Sequence, residues 1–234
     1  MRVLGPIPKK SSVLTALFDK TVHKKVHKRL LRDTLGRTQR ANLVRLISGF
    51  LPNQKADVLD IGCGNGLFAY DLMAAKPFLK IVGVETKAHP DCLIKQCVYD
   101  GQSLPFQDKR FDYVLLINVL HHTNDPAIVL SEAARVARHG IVIKDHYANT
   151  RLDFYTLVAM ERIGNAFSDI NQPYNFFSEE QWDALFDSVG LKIESVRNRF
   201  VCYNAMLDFL FGRNLHFVAN VACPVVNSLN RLAS

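Results

Sequence analysis

The chain has 234 residues, 48% of them hydrophobic, long enough for one domain whose core needs no disulfide or metal staple. Its formal net charge of +7 is unevenly spread: residues 1–56 carry 13 Lys and Arg against 2 acids, residues 57–234 carry 16 against 20, so the basic character belongs to an N-terminal appendage and the body is mildly acidic. Five cysteines (Cys63, Cys92, Cys97, Cys202, Cys223) form no CxxC pair, which argues against a zinc finger or a secreted disulfide framework and suits a reducing compartment.

The appendage contains Thr21 to Arg32, in which Val22, Val26 and Leu30 share one helical stripe and Lys24, Lys25, Lys28, Arg29 and Arg32 turn away from it. A second helix is expected from Gln39 to Leu51, ending before Pro52. The apolar run Val13 to Phe18 is too short for a signal-peptide core, and no window reaches the roughly 18 to 20 apolar residues of a membrane span, so the expected location is cytoplasmic.

From residue 56 short apolar stretches alternate with helical ones, the pattern of crossover units in a parallel sheet. Strands are expected at 57–61, 80–85, 95–99, 111–117 and 140–145, with helices at 66–75 and 126–138 between them. An insertion follows at about 147–177, then a helix opened by Ser178, then two further strands within Leu191 to Arg199 and Leu215 to Cys223. The expected fold is α/β and Rossmann-like: a doubly wound, mostly parallel seven-stranded sheet with helices on both faces and a basic N-terminal lid. The division expected is 1–52 for the lid and 53–234 for the catalytic domain.

The first strand runs into Gly62, Gly64 and Gly66 in "VLDIGCGNG". In open parallel sheets a ligand lies beyond the C-terminal strand ends, and glycines there let it approach the backbone while the next helix offers free N–H groups. Glu85 ends the second strand, where an acid accepts from ribose hydroxyls, and Asp100 ends the third. These point to a nucleoside site. No GxxxxGK[ST] is present, and G-x-G-x-G is not the dinucleotide spacing G-x-G-x-x-G.

The ordered stretches "VLDIGCGNGLFA", "IVGVE", "YDGQSLPFQDKRFDYVLLINVLHHTNDP" and "SEAARVAR" resemble the class I S-adenosylmethionine-dependent methyltransferase family, in its small-molecule and lipid-methylating branch. The resemblance covers roughly residues 40–146, with weaker likeness at "FFSEEQWDALFDSVGLKIESV". It implies S-adenosylmethionine as cofactor; a metal is optional for the chemistry, and none is expected. It further implies that Gly62, Gly64 and Gly66 line the methionine moiety and Glu85 holds the ribose. Asp100, with Gly101 and Gln102 alongside, would meet the adenine, Asn118 would lie near the methionine portion, and Asp60 would support the loop and the ammonium indirectly. Two departures stand out: Ala137-Arg138-His139-Gly140 replaces the usual "LKPGG", and Glu85 stands where Asp is commoner.

Methyl transfer is an in-line displacement in which the protein aligns, excludes water and, for a protonated nucleophile, supplies a base. Candidates at the ends of strands four and five are His146, oriented by Asp145, then His122 and its neighbour His121. The insertion carries Phe154, Tyr155, Met160, Phe167, Tyr174, Phe176 and Phe177, so the acceptor is expected to be small and apolar or aromatic. A lipid or quinone-like acceptor at a membrane surface, reached through the basic helix, remains open. So does a non-catalytic cofactor-binding partner protein. An RNA acceptor ranks below these because base-stacking rings are scarce in the basic segment, and DNA is not expected as a partner.

Overall fold

The computed structural model of the chain describes residues 36–164, 173–203, 208 and 214–223. The basic helix expected over 21–32, Phe167 and the tail after Pro224 lie outside the described residues.

Seven strands form one sheet: β1 (Ala56–Ile61), β2 (Leu79–Glu85), β3 (Gln96–Val98), β4 (Phe111–Ile117), β5 (Ala137–His146), β6 (Lys192–Arg197) and β7 (His216–Ala222). Their order is β3-β2-β1-β4-β5-β7-β6. The first five pair in parallel, and β7 runs antiparallel between β5 and β6. Among the described residues five helices accompany them: α1 over 36–48, α2 (Leu67–Ala75), α3 (Pro126–Val136), α4 (Arg151–Gly164) and α5 (Glu179–Ser188).

Successive strand residues point to opposite faces, and both faces are covered. Val58, Leu115, Val142 and Val218 pack with Val44 and Ile47 of α1 and Ala69 and Leu72 of α2. Leu59, Leu116, Ile141 and Ile143 pack with Leu130 and Ala133 of α3 and Trp182 and Phe186 of α5. This double burial is why the parallel strands read as continuous apolar runs rather than alternating ones. The helix starts are chemically marked. Asp125 accepts from the Ala127 and Ile128 amides ahead of Pro126, and Ser178 with Gln181 forms a capping box for α5.

Several boundaries differ from the sequence expectation: α1 ends at 48 rather than 51, β5 runs from Ala137 to His146 rather than over 140–145, and most others move by a residue or two. Helix α3 ends at Val136 rather than 138, because Ala137 turns extended and pairs with Phe111 to open β5. Strand β3 is only three residues long, an edge paired on one side to Gly83–Glu85. No described helix is long and apolar enough to cross a membrane.

Candidate active site

Strand order reverses at β1, whose neighbours are β2 and β4, and the crevice at that reversal is where ligands of such sheets bind. The glycines of the β1–α2 turn serve different ends. A Cβ at Gly62 would meet Val119 Cγ2 at 2.6 Å and one at Gly66 would meet Ile94 Cγ1 at 2.7 Å, whereas one at Gly64, at φ +52°, has nothing within 4 Å. Gly62 and Gly66 thus let elements close on the loop, and Gly64 leaves a space in front of it. That space belongs to a cleft of about 290 Å³ lined by Asp60, Gly62, Gly64, Phe68, Asn118 and α1 residues including Arg40.

Glu85 reaches back from β2: one carboxylate oxygen accepts from the Gly64 amide at 3.0 Å and the other from Thr86 at 2.9 Å. Asp60 is 3% exposed, and burial, then the nearby Glu85 charge, pushes its carboxyl up to about 7. Asn118, at φ +56°, donates its amide to Lys144 O at 2.8 Å. A non-glycine residue in this region is held there by its surroundings. A second cleft, of about 240 Å³, is lined by Thr86, Asp100, Gly101, Gln102 and His122. There Asp100 accepts from the Ser103 and Gln102 amides at 2.7 and 2.8 Å, which lowers its pKa. The nine residues expected around a nucleoside therefore all lie along the C-terminal ends of β1 to β4.

The polar cluster at the ends of β4 and β5 is arranged differently from the sequence expectation. Asp145 does not orient the His146 ring; it bonds His121 Nδ1 at 2.6 Å and the His146 amide at 2.9 Å, and stands 3.8 Å from His146 Nδ1. The reason is register: the 3₁₀ turn Leu120–His122 carries His121 over the end of β5. Burial alone would depress His121, but Asp145 and Glu161 override it and raise the imidazole to about 9. Its neighbour His122 is lowered to about 4 by burial and by His121. Burial, with Lys144 and His216 beside it, holds His146 well below its ordinary value.

Lys144 is fully buried and lowered by burial. It bonds Asn118 Oδ1 and lies 3.5 Å from His146 Nε2 and 3.4 Å from His216 Nδ1. Glu161, from α4, approaches His121 and His122. Neither Lys144, Glu161 nor His216 was singled out by the sequence. Glu161 lies some forty residues from the histidines it meets, and His216 arrives only through the antiparallel return of β7. The aromatic insertion divides. Phe176 stacks on His121 with centroids 5.4 Å apart and Tyr174 stacks on Phe176 at 5.7 Å. Phe177 instead packs edge-on against Trp182 in the core, and Tyr155 is 68% exposed.

The profile of a family described as a methyltransferase domain matches residues 35–196. The 27-O-demethylrifamycin SV methyltransferase of Amycolatopsis mediterranei is 33% identical over 108 residues, 40% of this chain and 39% of that protein. An uncharacterised protein of Methanocaldococcus jannaschii is 34% identical over 87 residues, 35% of this chain and 40% of that protein. The chain thus spans about two fifths of the length of these curated relatives. Among solved structures, a protein of Pyrococcus horikoshii shares the fold with a TM-score of 0.60 at 18% identity, over 80% of this chain and 91% of that one. The glycine turn with space before Gly64, the acids at successive strand ends and the family match agree: the chain belongs to the class I methyltransferase family, enzymes whose methyl donor is S-adenosylmethionine.

Proposed function

We propose that the enzyme transfers a methyl group to an oxygen of a small, apolar or aromatic acceptor, with His146 as the base. When bound, S-adenosylmethionine supplies an electrophilic methyl on a sulfonium leaving group. Gly64 leaves room for its methionine end while Gly62 and Gly66 let the loop close around it, Asp60 and Asn118 flank that end, Glu85 takes the ribose hydroxyls, and Asp100 with Gly101 and Gln102 holds the adenine side.

The observation that carries the reading is the buried, neutral imidazole of His146 under the Phe176 ring, centroids 5.9 Å apart. An apolar wall beside a base that is not already protonated suits an uncharged acceptor bearing a hydroxyl. Lys144 bonds Asn118 Oδ1 and lies 3.5 Å from His146 Nε2. His146 Nδ1 is buried with no hydrogen-bond partner among the described residues, and it is the atom assigned to take the acceptor proton. The relative named as a 27-O-demethylrifamycin SV methyltransferase supports a small acceptor methylated on oxygen.

The test is turnover at saturating donor against a panel of hydroxylated aromatic and macrocyclic acceptors. His146→Ala is expected to lose about 10² to 10⁴ in kcat with donor affinity unchanged. Wild-type kcat in that variant removes His146 as base, and no transfer to any acceptor overturns the acceptor class. A membrane-surface acceptor is the second reading, favoured by Leu152 and Tyr155, 62% and 68% exposed on α4. Co-sedimentation with vesicles that Leu152→Ser and Tyr155→Ser abolish supports it, and none in the wild type refutes it.

A further inference from the structure

His121, His122 and Glu161 come from two distant stretches of chain and converge at one point. His121 Nε2 lies 3.7 Å from Glu161 Oε1, and His122 Nε2 lies 3.6 Å from Glu161 Oε2; one donor atom from each residue falls within 4.8 Å of the others. These separations are too long for hydrogen bonds, which run about 2.7–3.2 Å. They are close to the spacing of neighbouring ligands on one ion, since bonds of about 2.0–2.2 Å in a tetrahedron put donor atoms about 3.3–3.6 Å apart. His121 Nε2 is buried and has no hydrogen-bond partner among the described residues. With Nδ1 bound to Asp145, Nε2 faces the Glu161 carboxylate, and a metal cation can take the place of the Nε2 proton between them.

We propose that His121, His122 and Glu161 bind a divalent first-row transition ion, with Zn²⁺ the species this donor set suits best. Two imidazoles and one carboxylate are the wrong ligands for Ca²⁺ or Mg²⁺, which prefer oxygen, and the right ones for Zn²⁺ or Fe²⁺. The Asp145–His121 bond of 2.6 Å is the outer-shell contact that fixes a ligating histidine's tautomer and ring plane, so Asp145 is a positioning residue. Glu161 and Asp145 together balance the charge of the ion. Three protein ligands leave a coordination position open, as in catalytic rather than structural sites.

What the ion does rests on the methyl-transfer reading: it takes the acceptor's hydroxyl oxygen in the open position. The O–H bond breaks with its proton passing to His146 Nδ1, and the oxygen keeps the electron pair as a metal-stabilised anion ready to attack the methyl. The ring centroids of His121 and His146 are 4.9 Å apart, so the base and the proposed ion belong to one cluster. This narrows the substrate class to acceptors with a metal-binding hydroxyl, such as phenols, enols or catechols.

The test uses the full chain stripped with a chelator and titrated with zinc chloride, no donor or acceptor present. One equivalent is expected to bind, with affinity lowered at least about tenfold in Glu161→Gln and about 10- to 100-fold in Asp145→Asn. In wild-type protein with ¹⁵N-labelled histidine, zinc is expected to shift His121 and His122 Nε2 and leave the exposed His139 unmoved, a readout that stands even if the variants fail to fold. Absence of stoichiometric binding, or equal shifts at His139 and at the paired histidines, overturns the site. Zinc binding without methyl transfer to any acceptor leaves the site standing and defeats the transfer reading. Transfer that proceeds unchanged in a chelator, by protein that binds no zinc, does the reverse.

Discussion

Asp60 shows how one buried carboxyl ties the loop to its ligand. In the folded state its pKa is raised from 3.8 to about 7, so between those values the folded chain holds a proton that the unfolded chain has released. Its contribution to stability is therefore complete below pH 3.8 and is lost as pH rises through 7, worth a few kcal/mol at most. Asp60→Asn is expected to flatten that part of a denaturation-versus-pH curve. If Asp60 must ionise to meet the donor's ammonium, binding at pH 6 releases a proton, detectable by calorimetry in buffers of different ionisation enthalpy; zero release contradicts that role. Gly64→Ala carries a separate expectation. The alanine costs about 1–2 kcal/mol for its left-handed backbone, and its methyl occupies the space before the loop, so donor affinity falls by more than tenfold. Equal donor affinity in that variant removes Gly64 from the cradle. The positions of the candidate cofactor residues were legible in the sequence because each sits next to a strand end that hydrophobic runs locate. The imidazole cluster was legible only in part: His122, Asp145 and His146 stand in such positions. Their partners Glu161 and His216 come from elements whose approach no local pattern encodes, and Asp145 pairs with His121 rather than the His146 ring because the 3₁₀ turn Leu120–His122 carries His121 over the end of β5.

At the scale of elements, α5 does more than cover the sheet. Trp182, 1% exposed, donates its indole N–H to His146 O at 2.9 Å, fixing the end of β5 where the candidate base sits. Trp182→Phe keeps most of the apolar packing but leaves that carbonyl without its donor, a loss of about 1–3 kcal/mol. The variant is expected to melt earlier and to lose kcat more than donor affinity. A variant with reduced stability but wild-type kcat separates packing from positioning. The segment returning from the insertion acts similarly on the 3₁₀ turn: Asn175 donates its backbone amide to His121 O at 2.9 Å and its side chain to Thr123 O at 2.6 Å. The capping residues of α3 and α5 were readable in advance, since Asp125-Pro126 and Ser178 with Gln181 are local chemistry. The end of α3 was not, because pairing of Ala137 with Phe111 across the sheet overrides a helical pattern that continues to 138.

Across the whole molecule, the apolar strand runs and the spacing of helices set a doubly wound sheet, and the structure follows it through β5. The antiparallel placement of β7 between β5 and β6 rests on pairing between distant strands, so the sequence supplied two strands without their order. One sheet joins both clefts, so occupation of either stabilises the same folded unit. S-adenosylmethionine at about 100 times its dissociation constant is expected to add about 2.7 kcal/mol, a rise in Tm of roughly 5–10 °C for a chain of this size. The most direct measurement is calorimetric titration of the full chain with S-adenosylmethionine, wild type beside Glu85→Ala. One equivalent bound by the wild type, and affinity at least about tenfold weaker once the Glu85 carboxylate is gone, is the predicted result; no binding by the wild type, or equal affinity in both, contradicts the account.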